Sequence, residues 1–384
     1  MAVITASVTI DGQPLRRAFV EHLAPFWFGS LGFDLTDSNG RFSFDSVFLS
    51  NQVDVKIHCQ NSVIRVVDGD VFNVPPISFT TTVTNGATIN ITTKIDNYRI
   101  LNSCLDVYDT VWRQFRPYNR VSRGSFPLGR KSNLRNTFSS NKRLELSYPD
   151  NFPSQLAFVE PSGLSNNGFP IAHIKHRTID GRLFGEGDAV SPNHDASLLP
   201  HELGHVFHFA AMSTGIRFEV ETAYLAYLAG ALVNGTLFHD VDVVTSPLVA
   251  YIEASGIFSE RFFFFKKLVR PDLNGVNLRS AFLQDELSAS PSLPGVLTDS
   301  YIQVGTRGAN GAITPLVPTG DNVEGSIYGA IYLDFASRVG LREAVGLVLD
   351  SNATTFDEFR LYILGRNNNQ LTAAINAVRQ TWNL

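Results

Sequence analysis

Leu198-Leu199-Pro200-His201-Glu202-Leu203-Gly204-His205-Val206-Phe207-His208-Phe209 is the stretch on which the reading of this chain turns. It contains H-E-x-x-H, as His201-Glu202-Leu203-Gly204-His205. At 3.6 residues per turn, positions four apart on a helix lie one above the other, so two imidazoles on this spacing face the same way. Neutral histidine nitrogens favour Zn2+, and a glutamate beside the first histidine is placed to take a proton from an attacking water. The flanks support a helix with two characters. Leu199, Leu203, Val206 and Ala210 fall on the face opposite the histidines, Pro200 sits in the first turn, where its missing N–H costs nothing, and Asp195 or Ser197 is a candidate cap. Three of the nine histidines fall within eight residues here. The motif predicts a zinc-hydrolase helix, with His201 and His205 as ligands and Glu202 as general base.

Leu198 to Phe209 resembles the active-site helix of the zincin metallopeptidases, in which H-E-L-G-H within an apolar helix is a common form. The resemblance implies peptide-bond hydrolysis, a Zn2+ cofactor and a protein or peptide substrate. It also raises the question of a third ligand. One zincin branch, the metzincins, places a histidine six residues after the second, but position 211 here is Ala211. Another, the gluzincins, uses a glutamate on the following helix. Glu221-Thr222-Ala223-Tyr224-Leu225-Ala226-Tyr227 is similar to the E-G-x-A-x-Y form of that helix, which favours Glu221 over Glu219. His208 shares the motif's helix but is expected beside the ligands or in the cleft, because three ligands from one straight helix rarely converge.

Working outward, residues 1–96 read as all-β. Alternating runs such as Ile4 to Ile10 and Val53 to Ile57 are separated by turn signals at Asp11-Gly12, Asp37 to Gly40, Asp68-Gly69 and Asn85-Gly86. About seven short strands at this spacing predict a β-sandwich. Gly12-Gln13-Pro14-Leu15, Ala18-Phe19-Val20-Glu21 and Thr36 to Phe44 resemble carboxypeptidase regulatory-like (transthyretin-like) sandwiches, which implies an accessory module.

From Tyr98 the period changes, and Leu101, Cys104, Leu105, Tyr108, Val111 and Trp112 follow helical spacing. The basic run Arg120 to Arg143 reads as exposed loop. Leu144 to Tyr148, Leu156 to Val159 and Ile171 to His176 read as strands that lead, through a Gly-rich loop, into the motif helix. Ile171 to His176 is the candidate edge strand for extended substrate, with His173 as a possible contact. A second helix is expected from about Arg217 to Leu232, and the chain beyond about residue 236 is mostly helical, with helices at Pro247 to Ala254 and Phe258 to Val269. Glu324 to Phe335 faintly resembles a C-terminal helix of fungalysin-like peptidases; Tyr328 and Tyr301 are candidates to steady an oxyanion or contact substrate.

The expected architecture is multidomain: an all-β sandwich over 1–96, then an α+β zincin catalytic domain over 97–384 with a mostly helical C-terminal lobe. The chain's 384 residues, 44% apolar and 17% charged, are enough for more than one core. A net charge of −5 without a Lys/Arg run argues against nucleic acid, and no apolar stretch approaches the length of a transmembrane helix. No signal peptide is visible at Met1-Ala2-Val3-Ile4-Thr5, while sequons at Asn90, Asn234 and Asn352 permit a secreted or cell-surface location. Cys59 and Cys104 either form one bridge or remain two buried thiols. The rival readings are a zinc hydrolase with a narrow substrate and a non-catalytic binding protein on the same fold.

Overall fold

A computed structural model describes residues 2–24, 30–46, 52–61, 64–69, 77–115, 144–150, 158–161, 170–173, 198–234, 241–292 and 302–384. The expectations for Arg120 to Arg143, for His176, for the loop Gly181 to Asp195, for a cap at Asp195 or Ser197 and for Tyr301 lie outside the described residues. The N-terminal region is rich in sheet and the C-terminal part is helical, with mixed sheets in the chain as a whole.

Period-2 burial builds the first sheet. In β1 (Ala2–Ile10), Ile4, Ala6, Val8 and Ile10 are buried, as a strand with one face on a core requires. Asp11 and Gly12 both take positive φ and join β1 to β2 (Gln13–Pro14), with Ile10 opposite Gln13: the two-residue hairpin that Asp-Gly favours. Three more strands follow, β3 (Phe19–Leu23), β4 (Ser30–Leu35) and β5 (Arg41–Ser46). The last pairs antiparallel with β1, setting Phe44 opposite Ile4 and Phe42 opposite Ala6. β6 (Gln52–His58), β7 (Ile64–Gly69), β8 (Ser78–Thr84) and β9 (Thr88–Asn90) complete this region. One sheet runs β2-β1-β5 with β9 parallel on β1, and a second runs β4-β3-β6-β8. Asp68-Gly69, expected as a turn, are the last two residues of β7.

The third sheet joins parts of the chain that the sequence keeps apart. β10 (Leu144–Asp150), β11 (Phe158–Glu160) and β12 (Ile171–His173) form it together with β7, in the order β11-β12-β10-β7. β12 is paired on both sides, parallel to β10 and antiparallel to β11, so its described part is interior and β11 ends the sheet. The candidate edge strand is therefore not an edge over Ile171–His173.

The chain divides into two compact units, one of Met1–Asp106 with Phe126–Glu186, the other of Val107–Ser125 with Gly187–Leu384. This division differs from the expected cut at residues 96/97. It falls within α1 (Ile95–Thr110), and the strands expected in the catalytic domain belong to the first unit, because β7 draws them into its sheet. In that unit Cys59 and Cys104 are both free and buried, and Cys59 donates to the Asn97 carbonyl at 3.1 Å.

The second unit contains α2 (Leu198–Ala211), α3 (Thr214–Asn234) and α4 (Pro247–Phe264), which continues as a π-helical turn over Phe265–Val269. α5 (Gly275–Glu286) and a hairpin of β13 (Gly305–Arg307) with β14 (Ile313–Pro315) follow. Next comes α6 (Glu324–Tyr328), which runs through a π-helical segment, Gly329–Phe335, into α7 (Ala336–Val339). The chain closes with α8 (Leu341–Ser351), α9 (Phe356–Gly365) and α10 (Asn369–Trp382). Its core is aromatic: Phe258 stacks on Tyr332 with ring centroids 4.6 Å apart, Phe115 and Phe282 meet Phe258 edge-on, and Phe262 is edge-on to both of those. Each buried Phe contributes roughly 1.5–3 kcal/mol by burial. The indole of Trp112 donates to Ser259 Oγ at 3.0 Å, which ties the segment after α1 to α4.

Candidate metal centre

α2 forms where the motif places it, with Leu199, Leu203, Val206 and Ala210 buried. The helix it faces is α4. A Cβ on Gly204 would lie 2.7 Å from the Ser255 carbonyl oxygen and 2.9 Å from Gly256 Cα, so the two backbones approach as only glycines allow. A Cβ on Gly256 would in turn lie 2.6 Å from His201 Nε2 and 2.8 Å from Cε1 of His205. The imidazoles lie over the bare backbone of α4.

That approach brings a carboxylate onto both rings. Glu253 Oε2 lies 3.1 Å from His201 Nε2 and 3.2 Å from His205 Nε2. The donor atoms of His201, His205 and Glu253 all fall within 4.8 Å of one another, which makes these three residues a group that could hold a metal ion. Two imidazoles and one carboxylate are a donor set that suits zinc. The side chain of Glu253 is 2% exposed and that of His205 7%, against 15% for His201, so solvent reaches the group on the His201 side.

The outer atoms also have partners. His201 Nδ1 lies 3.4 Å from Glu260 Oε2, and Tyr224 donates from its hydroxyl to Glu253 Oε1 at 3.4 Å. A carboxylate on the far nitrogen of a ligand histidine fixes its tautomer and strengthens it as a ligand. His205 Nδ1, by contrast, is buried with no hydrogen-bond partner among the described residues. Burial alone would lower the His201 pKa, but the carboxylates of Glu253 and Glu260 outweigh it and hold the imidazole well above its ordinary value. A cation bound here would compete with that proton. Burial, followed by the charges of Glu253, Glu202 and Glu324, raises the Tyr224 phenol well above its ordinary value.

The residues expected from sequence are distributed as follows. His201 and His205 are in the group, and Glu202 follows His201 on α2, buried. Glu221 and Glu219 lie on α3, half-exposed and exposed, and neither belongs to the group; the carboxylate brought to the histidines is Glu253, from α4. His208 is buried rather than lining a cleft, its ring 5.7 Å from that of Tyr251, with neither nitrogen hydrogen-bonded among the described residues. Burial, with a contribution from His205, lowers its pKa to about 3. Tyr328 is fully buried, donates to Glu286 Oε2 at 3.0 Å and lies under the Arg261 guanidinium. That hydroxyl is engaged in a core network. His173, half-exposed on β12, belongs to the other compact unit.

Glu253, Glu260 and Tyr224 were missed from sequence. The signal for the first two is a pair of acidic residues seven positions apart, and so on one face, in a largely apolar helix whose only other charged residue is Arg261. No family model matches this chain, and no curated protein is significantly similar to it.

Proposed function

We propose that this chain is a zinc-dependent peptidase of the zincin kind, with His201, His205 and Glu253 as metal ligands and Glu202 as general base. The observation that carries the reading is the convergence of Glu253 Oε2 on both Nε2 atoms of an H-E-x-x-H helix. A glutamate as third ligand is the gluzincin choice of residue, but here it comes from α4 and not from the following helix, α3. The two four-stranded N-terminal sheets fit an accessory β-sandwich.

When bound, zinc would polarise the scissile carbonyl and lower the pKa of a water beside it. The chain's own residues do the rest. Glu202 takes a proton from the attacking water and returns it to the leaving amine. Glu260 holds His201 with its Nε2 toward the other two ligands. The burial of Glu253 and His205 excludes bulk water, which strengthens each charge interaction within the site.

The test is zinc content and casein cleavage for wild type, Glu202→Gln, Glu253→Gln and Glu221→Gln. The reading predicts one zinc per chain and chelator-sensitive cleavage in wild type. Glu202→Gln keeps zinc and loses turnover, Glu253→Gln loses both, and Glu221→Gln keeps both. Zinc-loaded wild type without cleavage of any peptide substrate would sink the peptidase assignment, and no zinc in wild type would sink the metal centre.

A further inference from the structure

We propose that Tyr224 is a positioning residue that restricts Glu253 to ligation through one oxygen; this rests on the metal-centre reading above. The atoms are already sorted. Oε2 of Glu253 faces both histidine nitrogens at 3.1 and 3.2 Å, while Oε1 turns toward the Tyr224 hydroxyl at 3.4 Å. A phenol is a donor at neutral pH, so it engages the oxygen that the histidines do not face.

The consequence is a matter of coordination number. A carboxylate can bind a cation through one oxygen or both. Through one oxygen, Glu253 and the two imidazoles supply three ligands, and a fourth position stays open for a reacting water. Through both, the carboxylate itself would take up that room. A hydrogen bond from a different helix favours the first mode. α3 carries Tyr224 and α4 carries Glu253, so their packing sets the carboxylate's rotation.

Tyr227 provides the internal comparison. It lies one turn further along α3, its ring centroid 6.3 Å from that of Tyr224, and feels the charges of Glu324 and Glu253. Removing its hydroxyl perturbs the same surroundings without removing the Tyr224 hydroxyl.

The experiment uses the full chain loaded with cobalt(II), whose visible absorption reports coordination geometry. Wild type and Tyr227→Phe are expected to give the strong band of a four-coordinate site. Tyr224→Phe is expected to weaken that band about threefold at unchanged stoichiometry and to lower zinc affinity about tenfold. An unchanged band and affinity in Tyr224→Phe overturns the assignment, and so does an equal change in Tyr227→Phe. Should Tyr224→Phe not fold, a crystal structure of zinc-loaded wild type decides: Glu253 on the ion through Oε2 alone, with Oε1 held by the Tyr224 hydroxyl, supports it, and both carboxylate oxygens on the ion overturn it. Wild type that takes up neither cobalt nor zinc removes the metal centre itself, a result distinct from a loaded wild type that Tyr224→Phe leaves unaltered.

Discussion

Gly256→Ala separates a metal site from an ordinary helix crossing. Two effects oppose each other in this variant. Alanine in place of a mid-helix glycine stabilises the helix by about 0.5–1 kcal/mol. Against that, the new Cβ would lie 2.6 Å from His201 Nε2 and 2.8 Å from Cε1 of both histidines, while ordinary contact begins near 3.4 Å. One side must give by roughly 0.8 Å. Without metal, the rings can turn off their rotamers at about 0.5–1.5 kcal/mol each, so after the helix gain net stability falls by no more than about 2.5 kcal/mol. With metal they cannot turn, because ligand distances tolerate only about ±0.2 Å. Zinc affinity is therefore expected to fall at least about 100-fold, or about 2.7 kcal/mol. The assay is chelator competition for zinc, together with thermal melting with and without the ion. Zinc should raise the wild-type midpoint and leave that of the variant nearly unmoved. Gly204→Ala is the control: its Cβ would meet the Ser255 carbonyl, Ser259 Cβ and Gly256 Cα, so it should destabilise the metal-free protein as well. A Gly256→Ala chain that binds zinc within about threefold of wild type would refute the reasoning.

Three further outcomes follow from the same geometry. Glu260→Gln removes the charge beside His201 Nδ1 and should weaken zinc binding about tenfold while the metal-free fold survives; unchanged affinity would make Glu260 a bystander. Ser259→Ala leaves the buried Trp112 indole without its acceptor and should cost about 1–3 kcal/mol in urea unfolding. His208 gives a pH signature. Its folded pKa is depressed to about 3 from an ordinary 6.5, so below pH 6.5 the unfolded chain takes up a proton that the folded chain refuses. The stability this residue supports is full above pH 6.5 and declines as pH falls toward about 3, by on the order of 5 kcal/mol in all. His208→Leu should flatten that acid limb in unfolding curves taken in chelator; an unaltered limb would show that His208 is not the group.

What the sequence made legible was local. The spacing of His201 and His205 and the apolar back of their helix could be read directly, as could the Asp11-Gly12 hairpin, because each depends on residues within one or two turns. The pairing of β7 with β10 was not legible: a parallel pair across that separation leaves no mark in either strand's own alternation. The carboxylate that meets both histidines was hidden for a more specific reason. The spacing gives two helices, Pro247 to Ala254 and Phe258 to Val269, with Gly256 between them, and the gluzincin resemblance points instead to the following helix, where Glu221 sits half-exposed. In the structure α4 runs unbroken through Ser255-Gly256-Ile257. The glycine that argues locally against a helix is the one that admits the imidazoles to its surface. Three residues before it lies Glu253 and four after it Glu260, so one bare turn lies between the two carboxylates that reach His201. Acidic residues that flank a glycine at helical spacing, in a largely apolar helix whose one basic residue, Arg261, is paired with Glu286, are costly to bury unless something charged lies opposite. That cost points from α4 back to the H-E-x-x-H helix.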